Sequence, residues 1–266
     1  MRKLPVTELQ SGVFLLDEFS GTNCYLVVGS EKALLIDCGT GVGDLTGTIR
    51  DITPLPVEVI ITHGHCDHFG GAFDFPQAYI HKDDLRFVNR IQFTQFARRV
   101  FTRGNSGLRE NGFTVKDLRK RRCRTRLVPI EDGFTLSLGD KTIRVKHTPG
   151  HSHGSIAVID DADKVIFTGD NCGDALWLFL PGRTSVEEWI PSAEWLYEQS
   201  ETYRVFWGHR VPELTHDYIG QVLAWGKEIL ASRKKNAPFP KTEQHPKRPD
   251  GIVYKTNTIF KRSKHG

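Results

Sequence analysis

The chain has 266 residues, 38% hydrophobic and 26% charged, a balance that suits a globular protein with a sizeable core and excludes disorder. No apolar run approaches the roughly 18 residues of a membrane span. The formal charge of +4 is unevenly spread: residues 82–126 hold fourteen Lys/Arg against four Asp/Glu, residues 233–266 ten against two, and the rest is acidic.

The N-terminus begins basic, but its apolar patch VFLL runs straight into Asp17 and Glu18. That patch is too short for the core of an export signal, so a cytoplasmic location is expected. The five cysteines, Cys24, Cys38, Cys66, Cys123 and Cys172, form no CxxC pair and are odd in number, which argues against a disulfide framework. Residues 13–19, 24–28 and 33–36 are β-rich and separated by turn signals, which predicts three short strands. Residues 44–51 fit a short helix, the continuous apolar run VEVIIT (57–62) a buried strand, and residues 77–80 another short strand.

The texture changes at residue 82. Asp83 and Asp84 stand near the start of KDDLRFVNRIQFTQFARRVFTR and Arg98, Arg99 and Arg103 near its end, a polarity that matches a helix dipole. A loop and the basic run KDLRKRRCRTR complete an insertion over 82–126. Its Phe87, Phe93, Phe96 and Phe101 are expected to pack in a core or an interface, and a homodimer is left open. Strands are predicted at 127–130, 134–138, 143–147, 155–159 and 164–168. Residues 185–200 read as a helix with a capping box, Ser185 and Glu188, that Pro191 is expected to kink or split. Residues 203–207 read as a strand and 215–235 as the longest helix. The basic tail over 236–266 carries one candidate strand at 251–254 and is otherwise expected either to stay solvated or to pack on the acidic body. All 266 residues are read as a single domain, with 82–126 as a candidate lid.

Function is concentrated in HGHCDH (63–68), three imidazoles and a carboxylate directly after a buried strand. His63 and His65 can point one way, Asp67 and His68 toward a second point, and these are donors that zinc, iron and manganese accept. TPGHSHGS supplies His151 on a tight turn, FTGDN supplies Asp170 and FWGHR supplies His209 at strand ends.

NCYLV (23–27), LLIDCG (34–39), HGHCDH, TPGHSHGS, FTGD and GH (208–209), in that order, resemble the metallo-β-lactamase fold superfamily over roughly residues 12–80 and 127–210. The resemblance implies an α/β (α+β), four-layer αββα sandwich with a basic, partly helical insertion. It implies that His63, His65 and His151 bind a first metal, that Asp67, His68 and His209 bind a second, and that Asp170 bridges the two. Asp37 matches the family's supporting aspartate behind the ligands. Two divalent ions, zinc or else iron or manganese, would lower the pKa of a bridging water and make hydroxide available, with Asp67 and Asp170 as the catalytic carboxylates.

Within this family the chain is similar to glyoxalase II and N-acyl-homoserine lactonase. Where the first bears a C-terminal helical domain, the expected substitute here is the insertion over 82–126, and the tyrosine that follows the bridging aspartate in the second has no counterpart after Asp170. The expected activity is hydrolysis of a small ester, thioester, lactone or phosphoester that is anionic, rather than β-lactam cleavage. A mononuclear iron persulfide dioxygenase using His63, His151 and Asp170 is the first alternative. A nucleic-acid phosphodiesterase or binder is the second, disfavoured by the complete ligand set. His153, Trp177, Phe179 and Arg210 are candidate substrate contacts, and His81, His147, His216, His245 and His265 read as structural or surface residues.

Overall fold

The computed structural model describes residues 1–88, 91–118, 125–210, 212–233, 235–248 and 250–261, leaving aside the side chains of residues 87 and 91–95. The first half builds a seven-stranded sheet in chain order: β1 (Val6–Gln10), β2 (Val13–Asp17), β3 (Asn23–Val28), β4 (Ala33–Ile36), β5 (Val57–Ile61), β6 (Gln77–His81) and β7 (Arg126–Ile130). Pairing is antiparallel through β4 and parallel from β4 to β7. The second half supplies β8 (Thr135–Ser137), β9 (Thr142–His147), β10 (Ile156–Asp160), β11 (Val165–Phe167), β12 (Trp177–Leu178), β13 (Arg204–Phe206), β14 (Glu213–Leu214), β15 (Thr242–His245) and β16 (Ile252–Lys255). Six of these form a second sheet in the order β14-β13-β11-β10-β9-β8, and β12-β16-β15 form a small third one.

The period-2 alternation of the strands dictates the layering. Tyr25, Val27, Leu34, Ile36 and Ile60 face Val145, Val158, Phe167 and Phe206 between the two large sheets. The alternate residues Cys24, Leu26, Leu35 and Ile61 point outward and are covered by α1 (Leu45–Ile52), α2 (Cys66–Phe69) and the start of the insertion. The outer face of the second sheet is covered by α6 (Val186–Gln199) and α7 (His216–Ser232). The result is the expected αββα sandwich.

Between α2 and β7 the insertion is partly helical, with α3 (Leu85–Val88), α4 (Ile91–Gly104) and α5 (Ser106–Glu110). α4 packs on α2, and its Arg98 is buried with Nε donating to the Thr40 carbonyl at 2.7 Å. Phe101 packs against the core, whereas Phe96 is 65% exposed. Arg119, Arg121, Arg122 and Cys123 lie outside the described residues.

Two expectations are narrowed. Of the kink or split expected at Pro191, the split does not occur: α6 is one helix through it. Pro191 is exposed, and so is Glu187 four residues earlier, whose carbonyl loses its helical donor to the proline ring. Solvent reaches that turn, while Trp189, Ile190, Ala193 and Leu196 bury the opposite face. The tail is also not simply solvated: Ile252, Tyr254 and Ile259 are buried in the core beneath α6 and α7, and β16 pairs with β12.

Candidate metal centre

The C-terminal ends of β5, β9, β11 and β13 lie at one edge of the sandwich, joined there by Ile156 N donating to the Thr62 carbonyl at 3.0 Å. The loops leaving these strands carry the seven predicted ligands, and the fold brings all seven together. One donor atom each from His63, His65 and His151 lie within 4.8 Å of one another, as do those of Asp67, His68, Asp170 and His209. In the first group the three rings stand nearly perpendicular in pairs, with His65 Nδ1 2.8 Å from His151 Nε2. In the second, His68 Nε2 is 3.6 Å from Asp67 Oδ2 and 3.3 Å from Asp170 Oδ1, and His209 Nε2 is 3.5 Å from Asp67 Oδ2. Asp170 Oδ2 is 3.1 Å from His209 Nε2 and 3.7 Å from His151 Nε2, so this carboxylate touches both groups.

Each imidazole uses one nitrogen to anchor itself and turns the other inward. His63 Nδ1 meets Thr62 Oγ1 at 3.1 Å, and His68 Nδ1 meets Asp37 Oδ2 at 2.7 Å. His151 Nδ1 meets the Trp177 carbonyl at 2.9 Å, His209 Nδ1 the Gly21 carbonyl at 2.7 Å and His65 Nε2 the Pro181 carbonyl at 3.3 Å. Protonating those outer nitrogens leaves bare lone pairs facing the centre, the usual arrangement of metal-binding histidines. His63 Nε2, His68 Nε2 and Asp170 Oδ1 are buried without a hydrogen-bond partner. Buried polar atoms seldom stay unpaired, so this donor set fits divalent ions. Burial, reinforced by the neighbouring imidazoles, holds His63 well below its ordinary pKa and takes His151 down to about 3, keeping both neutral and ready to ligate.

The supporting residues explain why the loops hold this shape. Asp37, predicted behind the ligands, accepts from Thr62 N at 2.7 Å and Thr62 Oγ1 at 2.8 Å as well as facing His68. Gly208 permits close approach: a Cβ there would lie 2.3 Å from Asp170 Oδ1 and 2.7 Å from His68 Cε1. Sequence reasoning missed Asp84 and Asn171. Asp84, fully buried, accepts from Gly64 N at 2.7 Å, Ser152 Oγ at 2.7 Å and Gly154 N at 2.8 Å, tying the His63–His65 loop to the His151 loop. Asn171 Oδ1 accepts from His151 N at 2.9 Å, and its Nδ2 donates to the Thr148 carbonyl at 2.8 Å. Asn171 adjoins Asp170 and was visible in FTGDN. Nothing in the sequence ties Asp84 to positions 68 and 70 residues away.

Trp177 is 43% exposed beside this centre, with its ring centroid 5.4 Å from that of half-buried Phe179. His153 is half-buried, and its backbone N donates to the Gly182 carbonyl at 2.7 Å. Arg210, next to His209, is exposed and paired with Asp174 at 3.2 Å. Cys66 belongs to neither donor group, and burial raises its thiol pKa.

Comparison with known proteins agrees with this geometry. The sequence model of the metallo-beta-lactamase superfamily matches residues 17–209. The acyl-coenzyme A thioesterase MBLAC2 of Gallus gallus is 30% identical over 242 residues, covering 80% of this chain and 85% of that protein. An atrochrysone carboxyl ACP thioesterase of Aspergillus terreus is 29% identical over 174 residues, covering 64% of this chain and 43% of that protein. Among solved structures, the DIM-1 metallo-beta-lactamase superposes with a TM-score of 0.62 at 15% identity, covering 85% of this chain and 97% of that one.

Proposed function

Since the chain belongs to the metallo-beta-lactamase superfamily, and is therefore a metal-dependent hydrolase rather than a true β-lactamase, we propose that it cleaves an acyl thioester carried on an anionic group. The observation that carries this reading is the convergence of donors from five imidazoles and two carboxylates, among them the buried, unpartnered His63 Nε2, His68 Nε2 and Asp170 Oδ1, in a chain whose relatives bear the names of thioesterases.

In this reading His63, His65 and His151 would hold one divalent ion and Asp67, His68 and His209 a second, with Asp170 available to both. Zinc is the proposed metal, with iron or manganese accepted by the same donors. When bound, such ions supply Lewis acidity toward the thioester carbonyl and lower the pKa of water. The water oxygen adds to the carbonyl carbon, the C–S bond breaks, and the products are a thiol and a carboxylic acid that releases its remaining proton to solvent as the carboxylate. Asp67, with Oδ2 facing His68 and His209, takes the water proton and passes it to the departing sulfur. Asp37 and Asp84 keep the ligand loops in place during this exchange.

Trp177 and Phe179 supply an apolar wall for the acyl chain. Exposed Arg99 and Arg103 of the insertion, one turn apart on α4, favour an anionic carrier. The complete second ligand group favours hydrolysis over a mononuclear iron dioxygenase.

A panel of acyl-CoA thioesters, a lactone, a phosphodiester and a β-lactam, offered to one metal-loaded sample, tests the assignment. Thioesters should be turned over fastest. A faster lactone or phosphodiester would overturn the assignment.

A further inference from the structure

The small sheet β12-β16-β15 presents two unlike faces. Leu176, Leu178, Ile252 and Tyr254 turn inward and are buried in the core beneath α6 and α7. Trp177 and Val253, which alternate with them along the two strands, belong to none of the buried clusters and turn outward. Trp177 is exposed and Val253 half-buried. β12 and β16 run parallel with Trp177 directly beside Val253. β16 and β15 run antiparallel with Gln244 beside Val253 on its other side.

The backbone of β12 fixes the direction in which this sheet leaves the metal centre. The Leu176 carbonyl accepts from Val253 N at 2.8 Å, on the β16 side. The next carbonyl, that of Trp177, points the opposite way and meets His151 Nδ1 at 2.9 Å. β12 therefore stands between the imidazole and β16, and neighbouring strands lie about 4.8 Å apart. A chain leaving the centre over the outer face crosses Trp177 first, Val253 one strand on and Gln244 one strand beyond that. Trp177 and Val253 are apolar. Gln244 is polar, with its Nε2 donating to the Arg248 carbonyl, and the Lys255–Thr242 pair on the same face is polar too. The apolar stripe thus ends at β16.

Building on the acyl-thioester reading above, we propose that Val253 is a specificity-determining residue: with Trp177 it forms a stripe across β12 and β16 that holds the distal part of the acyl chain. A short acyl group stops before Val253 and gains nothing from it. A longer one exchanges water for the Val253 side chain, and each methylene buried there is worth roughly fourfold in affinity. Binding therefore tightens with chain length while the chain crosses β12 and β16, and levels off where it meets Gln244. The stripe is remote from the reacting carbonyl and grips the chain equally before and during C–S cleavage, so it acts on KM and leaves kcat unchanged. The tail that supplies β16 is in this way part of the substrate surface as well as of the core.

The test is steady-state hydrolysis of acetyl-, octanoyl- and dodecanoyl-CoA by the full metal-loaded chain and by its Val253→Asp and Val253→Thr variants. Both variants should raise KM for dodecanoyl-CoA, roughly tenfold or more for Val253→Asp and about fourfold for Val253→Thr. KM for acetyl-CoA, kcat for each ester and zinc content should stay at the parent's values, a split that a purely structural role would not give. Variants with the parent's chain-length profile, or with KM raised equally for acetyl- and dodecanoyl-CoA, would overturn the proposal. Should Val253→Asp not fold, Val253→Thr carries the comparison, because threonine keeps the β-branched shape that strands favour. Failure of the thioester reading would look different: the parent itself would hydrolyse none of the three esters, and the proposal would fall with it.

Discussion

Replacing Asp84 with Asn tests how the metal centre is held. The Asp84 carboxylate is fully buried and accepts three hydrogen bonds, two from the His63–His65 and His151 loop amides and one from Ser152 Oγ. An amide keeps one oxygen, so at best the Gly64 and Ser152 bonds survive and the new NH2 group meets the Gly154 N–H donor to donor. Losing one bond to a charged acceptor costs roughly 1.5–3 kcal/mol, and leaving a buried donor unpaired adds to it, giving about 3 kcal/mol. For a chain of this size that lowers Tm by on the order of 8 °C, leaving a folded protein. The two loops carry three of the seven ligands, so metal affinity should fall roughly 10–100-fold, as for other residues that orient ligands. The assay is a thermal melt of metal-free protein paired with a zinc titration against a competing chelator. Asp83→Asn, one residue away and exposed, should leave Tm and affinity at the catalytic centre unchanged. An Asp84→Asn protein with the parent's Tm and zinc affinity would refute the reasoning.

Gly208→Ala places a Cβ 2.3 Å from Asp170 Oδ1, so zinc content measured by mass spectrometry should drop by one ion per chain while the fold persists by circular dichroism. Trp177→Ala should raise KM for long-chain acyl thioesters more than for acetyl thioesters, with kcat little changed, because the exposed indole walls the acyl path and its carbonyl still anchors His151. Burial raises the Glu18 pKa from 4.5 to about 7, against the opposing hydrogen bonds from Thr40, Gly41 and Val42. A carboxyl whose folded pKa is raised contributes stability that is fully present below pH 4.5 and lost as pH rises through about 7. Urea unfolding of metal-free protein should therefore show the parent losing about 3 kcal/mol relative to Glu18→Gln across that window, and parallel pH profiles would contradict it.

Much of this was legible in the sequence because the chemistry is local. HGHCDH, TPGHSHGS, FTGD and GH each put a ligand within a few residues of a strand end, and β-rich runs between turn signals marked most of the strands. Strands that were missed lacked that signal. β1 is VTELQ, a polar edge strand with no alternation to read, and β12 and β14 are two residues each, held by partners far along the chain. The packing of the tail stayed open because its composition is basic, while its burial rests on Ile252, Tyr254 and Ile259 meeting α6 and α7. Asp84 looked like a helix-start acid. Its role depends on loops brought beside it only by the packing of two sheets.

The most direct test of the central claim is a titration of acyl-thioester hydrolysis with zinc, beginning from chelated protein. The account predicts no turnover without metal, recovery on addition, a plateau at two equivalents per chain, and no recovery when Asp170→Asn is introduced. Thioester hydrolysis by the metal-free protein, or a plateau at one equivalent, would contradict it.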